Sequence, residues 1–222
     1  MGTALIARGF DPASLVELPL RAPEAILEVH RSFSMSDALT AATFGLSWAP
    51  NRDVADAAIQ LAREVAGDRP VIASLAPGAH AAEAASSLRQ ADILLFETFT
   101  RVADLETVLH AVAHPRVWAT VSFHKGKSAD GYTPGETAAR LVTTQVEAFG
   151  ANCGDGLRET AANAIAMVGA GRPVIAQPNA GVGTTASPEA FAATAASLRD
   201  AGVAIIGGCC GVTAAHLALV AP

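Results

Sequence analysis

The chain carries only three cysteines, and two of them are adjacent. Cys209 and Cys210 lie in IIGGCCGVTAAH, residues 205–216, and Cys153 closes the upstream stretch AFGANC. A disulfide between neighbouring cysteines is sterically awkward, and three thiols make no even framework, so reduced thiols are the simpler reading. Thiolates that converge suit a soft or borderline metal, for which Zn2+ is the usual choice. Three such ligands leave one tetrahedral position open, the mark of a catalytic rather than a structural site. Zinc among three thiolates is electron-rich and poor at activating water. It can still bind a substrate thiol and lower its pKa while leaving the sulfur nucleophilic. The chemistry expected is alkyl transfer to a thiol. Gly207 and Gly208 give the backbone room to turn so that the side chains reach one ion.

For that convergence the fold must bring Cys153 and the Cys209–Cys210 pair to one place. Short apolar runs recur along the chain: DALTAATF (37–44), PVIASLAP (70–77), ADILLFET (91–98), RVWATVSF (116–123), AFGANC (148–153), PVIAQPNA (173–180) and VAIIGGCC (203–210). They are continuously apolar rather than alternating, as parallel strands covered on both faces are. Helical segments separate them. TPGETAARLVTTQVEAFG opens on a capping box, with Thr133 as the cap, Pro134 in the first turn and Glu136 three residues on. SPEAFAATAASLRDAG repeats the device at Ser187 and Pro188 and stops at Gly202, and TRVADLETVLHAVAHP runs to a stop at Pro115. Strict βα alternation means a parallel sheet, either doubly wound or closed into a barrel. A (β/α)8 barrel needs eight strands; seven are clear, and TALIARGF near the start could be a short strand.

In either architecture ligands bind at the carboxyl ends of the strands. Thr43, Ser74, Glu97, His124, Asn152 with Cys153, Asn179, and Cys209 with Cys210 all fall at such ends. No glycine-rich nucleotide fingerprint follows the first strand, which argues against the doubly wound dinucleotide-binding alternative.

Composition narrows the partners. The net charge is −6 and no basic run reverses it, which argues mildly against nucleic acid or anionic membrane as partners. Residues are 51% hydrophobic and 16% charged, typical of a chain that folds. No apolar run is long enough for a membrane span and no signal peptide is evident, so a cytoplasmic protein is expected. No linker interrupts the sequence, so residues 1–222 are read as one domain.

Five ordered elements resemble those of the zinc-dependent homocysteine S-methyltransferase family, which includes the betaine and S-methylmethionine enzymes and the homocysteine domain of cobalamin-dependent methionine synthase. They are AATFG, LLFETF, GANCGDG, PVIAQPNAG and GGCCGVTAAH. The resemblance implies a TIM barrel, zinc ligated by Cys153, Cys209 and Cys210, and methyl transfer to homocysteine to give methionine. It makes Glu97 the partner of the homocysteine amino group. Thr43, Asn152 and Asn179 join the substrate-binding set, with the asparagines expected to shape the site through backbone hydrogen bonds. His124 is read as a solvated loop residue, His216 as structural in the first turn after a Thr213 cap, and HKGKSADG (124–131) as a mobile, solvated loop.

The sequence departs from the family at its start. The family's first strand ends in Asp-Gly shortly before a Gly-Thr. Here Gly2 and Thr3 match the Gly-Thr and fall in the expected substrate set, but the strand and its Asp-Gly are absent from the sequence. Strand 1 is therefore expected to be missing or replaced, with homocysteine binding impaired or rebuilt. Unpaired sheet edges would then need cover, from TALIARGF or from a partner chain such as a second copy. The methyl donor stays open among a methyl-corrinoid on a separate protein, S-methylmethionine and a betaine, and the short run from Asn179 to Cys209 favours the corrinoid protein. The contrasting reading is a degenerate, non-catalytic zinc barrel serving as a subunit of a larger methyl-transfer complex.

Overall fold

A computed structural model describes residues 1–181 and 186–220. The chain divides into two compact units, Met1–Phe96 with Ala111–Arg116, and Glu97–His110 with Val117–Pro222.

The first unit opens with α1 (Gly2–Ile6), a 3-10 turn (Pro12–Glu17), α2 (Leu18–Arg21) and α3 (Pro23–Ser32). The βα alternation then begins with β1 (Leu39–Ala41), α4 (Arg52–Ala66), β2 (Val71–Leu75) and α5 (Ala81–Ser86). β3 (Ile93–Phe99) gives its first half to this unit. β1 pairs with β2, and β2 with β3, in parallel register. All five residues of β2 are buried, as a strand covered on both faces requires. Asn51 caps α4 by accepting from the Val54 N–H at 3.1 Å.

TALIARGF is not a strand. Met1, Ala4 and Leu5 stand at helical spacing, and the Met1 carbonyl accepts from the N–H groups of Ala4 and Leu5 at 3.0 and 3.2 Å. Leu5, 1% exposed, packs with Leu18, Ile26 and Val29 in a small helical core. Burying one stripe of a turn against α3 satisfies this segment's apolar residues without any ladder partner. Gly2 and Thr3 therefore open a helix.

The second unit takes the end of β3, then α6 (Val102–Ala111) up to His110, β4 (Val117–Val121) and α7 (Pro134–Leu141). It continues through β5 (Ala148–Cys153), α8 (Leu157–Ile165), β6 (Val174–Pro178), α9 (Pro188–Asp200), β7 (Ile205–Ile206) and α10 (Ala214–Ala218). β4–β5, β5–β6 and β6–β7 are parallel pairs. The expected caps form. Thr133 and Glu136 make the reciprocal box at the start of α7, and Ser187 accepts from the Ala190 N–H at 3.2 Å. Thr213 and His216 close a second box at α10, with His216 only 4% exposed, as a structural role requires.

The 124–131 loop is more built than a solvated loop would be. Ser128 is 5% exposed. Asp130 accepts from the N–H groups of Val102 and Ala103 at 3.1 and 3.0 Å, capping α6 from a distance in sequence. Among the described residues no helix is long and apolar enough to cross a membrane.

Candidate metal centre

Each cysteine reaches the site from the carboxyl end of a strand in the second unit. Cys153 is the last residue of β5, and Cys209 and Cys210 sit in the loop after β7. Their Sγ atoms all lie within 4.8 Å of one another. Zinc bonded to thiolates at about 2.3 Å sets tetrahedral ligand sulfurs about 3.8 Å apart, so this spacing and this all-sulfur donor set fit the ion.

The loops that carry the sulfurs are fixed by main chain. The Cys209 N–H donates to the Pro178 carbonyl at 3.0 Å, and the Ala180 N–H donates to the Cys210 carbonyl at 2.9 Å. Gly211 permits this approach. Its φ is +76°, and a Cβ there would stand 1.8 Å from the Gly181 carbonyl oxygen. Cys153 itself has φ +56°, a costly conformation for a side chain. The neighbouring Gly154 N–H is held by the Ser122 hydroxyl at 3.1 Å, and the buried Thr160 hydroxyl is held at the Cys153 carbonyl.

Three thiols in contact cannot titrate independently. Hydrogen bonds from Cys153 and Cys209 hold Cys210 down to about 3. Hydrogen bonding with Cys153 and Cys210, together with burial, pushes Cys209 up, and the charge of Glu97 adds to that push. For Cys153 the hydrogen bond with Cys209 pulls down, but the one with Cys210 and burial outweigh it. Of the three thiols, Cys210 is the one the cluster makes easiest to ionise.

The expected substrate residues divide between the units. Glu97, half-buried near the end of β3, is near enough to Cys209 for its charge to bear on the thiol. Asn179 follows β6. Its Nδ2 faces the Cys153 sulfur at 3.9 Å and donates to the Gly154 carbonyl at 3.2 Å, while its Oδ1 accepts from the Gly181 N–H at 2.6 Å. Asn152 is 1% exposed and turns its carboxamide to Thr98 and to the Cys209 sulfur. Thr43, Gly2 and Thr3 belong to the first unit. Thr43 is fully buried, with its hydroxyl donating to the Ser74 carbonyl at 2.9 Å.

Thr98, Asp130 and Asp155 went unread in the sequence. Thr98 adopts φ +65°, for which a threonine carries no sequence mark. Asp155, two residues after Cys153, accepts from the Lys125 N–H at 2.6 Å and pairs with the exposed His124. Those two contacts hold its carboxyl below the usual range. Together they border a cavity of about 450 Å3, lined also by Thr100, Ser122 and Lys127. The Asp-Gly following Cys153 was the available signal for a turn that places a carboxylate there.

A parallel α/β chain with three thiols gathered at the strand ends defines a class of protein whose cysteines could hold a metal ion. The chain belongs to the homocysteine S-methyltransferase family, whose model matches residues 1–222. Its activity at family level is S-methyl transfer to homocysteine. A search of curated proteins gave no match.

Proposed function

We propose that this protein transfers a methyl group to the thiol of homocysteine, giving methionine, with Zn2+ held by Cys153, Cys209 and Cys210. The convergence of the three sulfurs within 4.8 Å carries the reading. An ion held by these three thiolates would supply the positive charge that lowers the pKa of the homocysteine thiol toward neutral pH. Glu97 binds the α-amino group, its carboxylate matched to an ammonium beside the cluster. Asn179 orients Cys153 through its amide and the Gly154 carbonyl.

The seven parallel strands support a (β/α)8 barrel in which α1, α2 and α3 stand in place of a first strand, and in which residues 1–222 make one domain. Among the described residues, the run from Asn179 to Cys209 contains α9 and the two-residue β7. It leaves small room for a donor pocket, which favours a methyl-corrinoid carried by a separate cytoplasmic protein over S-methylmethionine or a betaine. A second reading, a non-catalytic zinc barrel within a larger methyl-transfer complex, draws on Gly2 and Thr3 lying in α1.

Zinc-loaded protein incubated with homocysteine and each donor class, with methionine read by mass spectrometry, tests both. Methionine from at least one donor, lost in Cys209→Ser, is expected. Zinc bound at one ion per chain without methionine would favour the second reading, and a chain that takes no zinc would end both.

A further inference from the structure

We propose that the Asn152 carboxamide is a positioning clamp that sets Glu97 and Cys209 together, so that one buried group governs both the amino-group contact and the metal ligand. The inference rests on the metal and substrate roles proposed above.

A carboxamide that is 1% exposed must find partners inside the protein. Asn152 finds them in two places. Its Oδ1 accepts from the Thr98 N–H at 2.9 Å and its Nδ2 donates to the Thr98 hydroxyl at 2.8 Å. The same Nδ2 faces the Cys209 sulfur at 3.7 Å. An amide nitrogen has two hydrogens, so one serves each partner.

The Thr98 end has a clear purpose. A β-branched residue at φ +65° is an outlier that persists only where its surroundings hold it. Asn152 grips it by backbone and side chain at once. Thr98 directly follows Glu97, so relaxation of its φ would reorient the peptide that carries the Glu97 side chain. The Cys209 end acts on charge. An N–H aimed at a thiolate draws electron density from it, and such outer contacts tune a metal centre's affinity and electronics.

Cobalt(II) in place of zinc makes the sulfur end visible as a thiolate-to-metal charge-transfer band. Titration of homocysteine into the cobalt-loaded chain reads the glutamate end without a methyl donor. Thr98→Val removes the hydroxyl but leaves the amide free to face Cys209. It should weaken homocysteine binding about tenfold, the lower end for outer-shell changes, with the band in place. Asn152→Ala should weaken binding similarly and also move the band to lower energy, because Cys209 regains charge. The double variant should bind no worse than Asn152→Ala, since the two residues act as one. Asn152→Asp keeps the acceptor and the size, and serves if the alanine variant does not fold; it should shift the band likewise. Wild-type band and affinity in the folded Asn152 variants would overturn the clamp while leaving the metal reading intact. A wild-type chain that takes up no Co2+ would overturn the metal reading and the clamp with it.

Discussion

The Ala180 N–H donates to the Cys210 carbonyl at 2.9 Å, so main chain, not the thiols, anchors the cysteine pair to the segment after β6. The sulfurs are therefore spare for ligation, and removing one should leave the loop in place. Cys209→Ser and Cys210→Ser should lose zinc, read by elemental analysis. Their unfolding free energy in urea with chelator present should stay within roughly 1 kcal/mol of wild type. Collapse of both variants in chelator would show that the thiols hold the fold themselves.

Gly211 is the position where that anchoring is most vulnerable. Gly211→Ala would place a Cβ 1.8 Å from the Gly181 carbonyl oxygen at a φ of +76°. The backbone conformation alone costs on the order of 1–3 kcal/mol for a residue with a Cβ, and the collision must move the loop that bears Cys210. Both lower stability in urea and weaker competition with a zinc chelator are expected. Unchanged zinc affinity would mean that the loop moves without carrying the thiol.

Much of this was written locally. Each of the seven apolar runs contains a strand, because a parallel strand buried on both faces advertises itself as an uninterrupted run. The boxes at Thr133 and Thr213 form because both partners lie within one turn of chain. The cysteines were legible as a set because a βα repeat sends every strand end to the same edge. What escaped was non-local or conformational. TALIARGF has the composition of a strand, and its helix is decided by Ile26 and Val29 elsewhere in the chain. The left-handed turn at Thr98 depends on Asn152, 54 residues away. A loop as polar as HKGKSADG gives no hint that Asp130 reaches the start of α6.

That reach makes Asp130 a stability residue. The N–H of Ala103, the Ser128 hydroxyl and the N–H of Val102 together outweigh its burial, which alone would raise it, and hold the carboxyl below its usual value. A carboxylate with a lowered folded pKa contributes stability above the unfolded value, and loses it as pH falls through the folded one. Asp130→Ala should cost about 1 kcal/mol at pH 7, as loss of a helix cap does. Asp130→Asn, which keeps an acceptor, should cost less. Equal losses in the two variants would assign the effect to packing instead.

His30 sets the opposite end of the pH response. It is 2% exposed in α3 with no hydrogen-bond partner for its Nε2. Burial, followed by the positive amino terminus of the chain, lowers its pKa from 6.5 to about 4. Between those values the unfolded chain binds a proton that the folded chain refuses, so stability falls as pH drops from 6.5 toward 4 and is full above 6.5. By pH 5 the loss is about 2 kcal/mol, approaching about 3 kcal/mol below pH 4. Carboxylates also begin to titrate in this range, so the difference between two proteins is the quantity to read. His30→Leu keeps the site apolar and has no proton to take up. Urea unfolding of both proteins at pH 7 and pH 5 should show wild type losing about 2 kcal/mol more than the variant. Parallel losses would mean that His30 is protonated in the folded chain, and α3 would then have to open at that end to admit water.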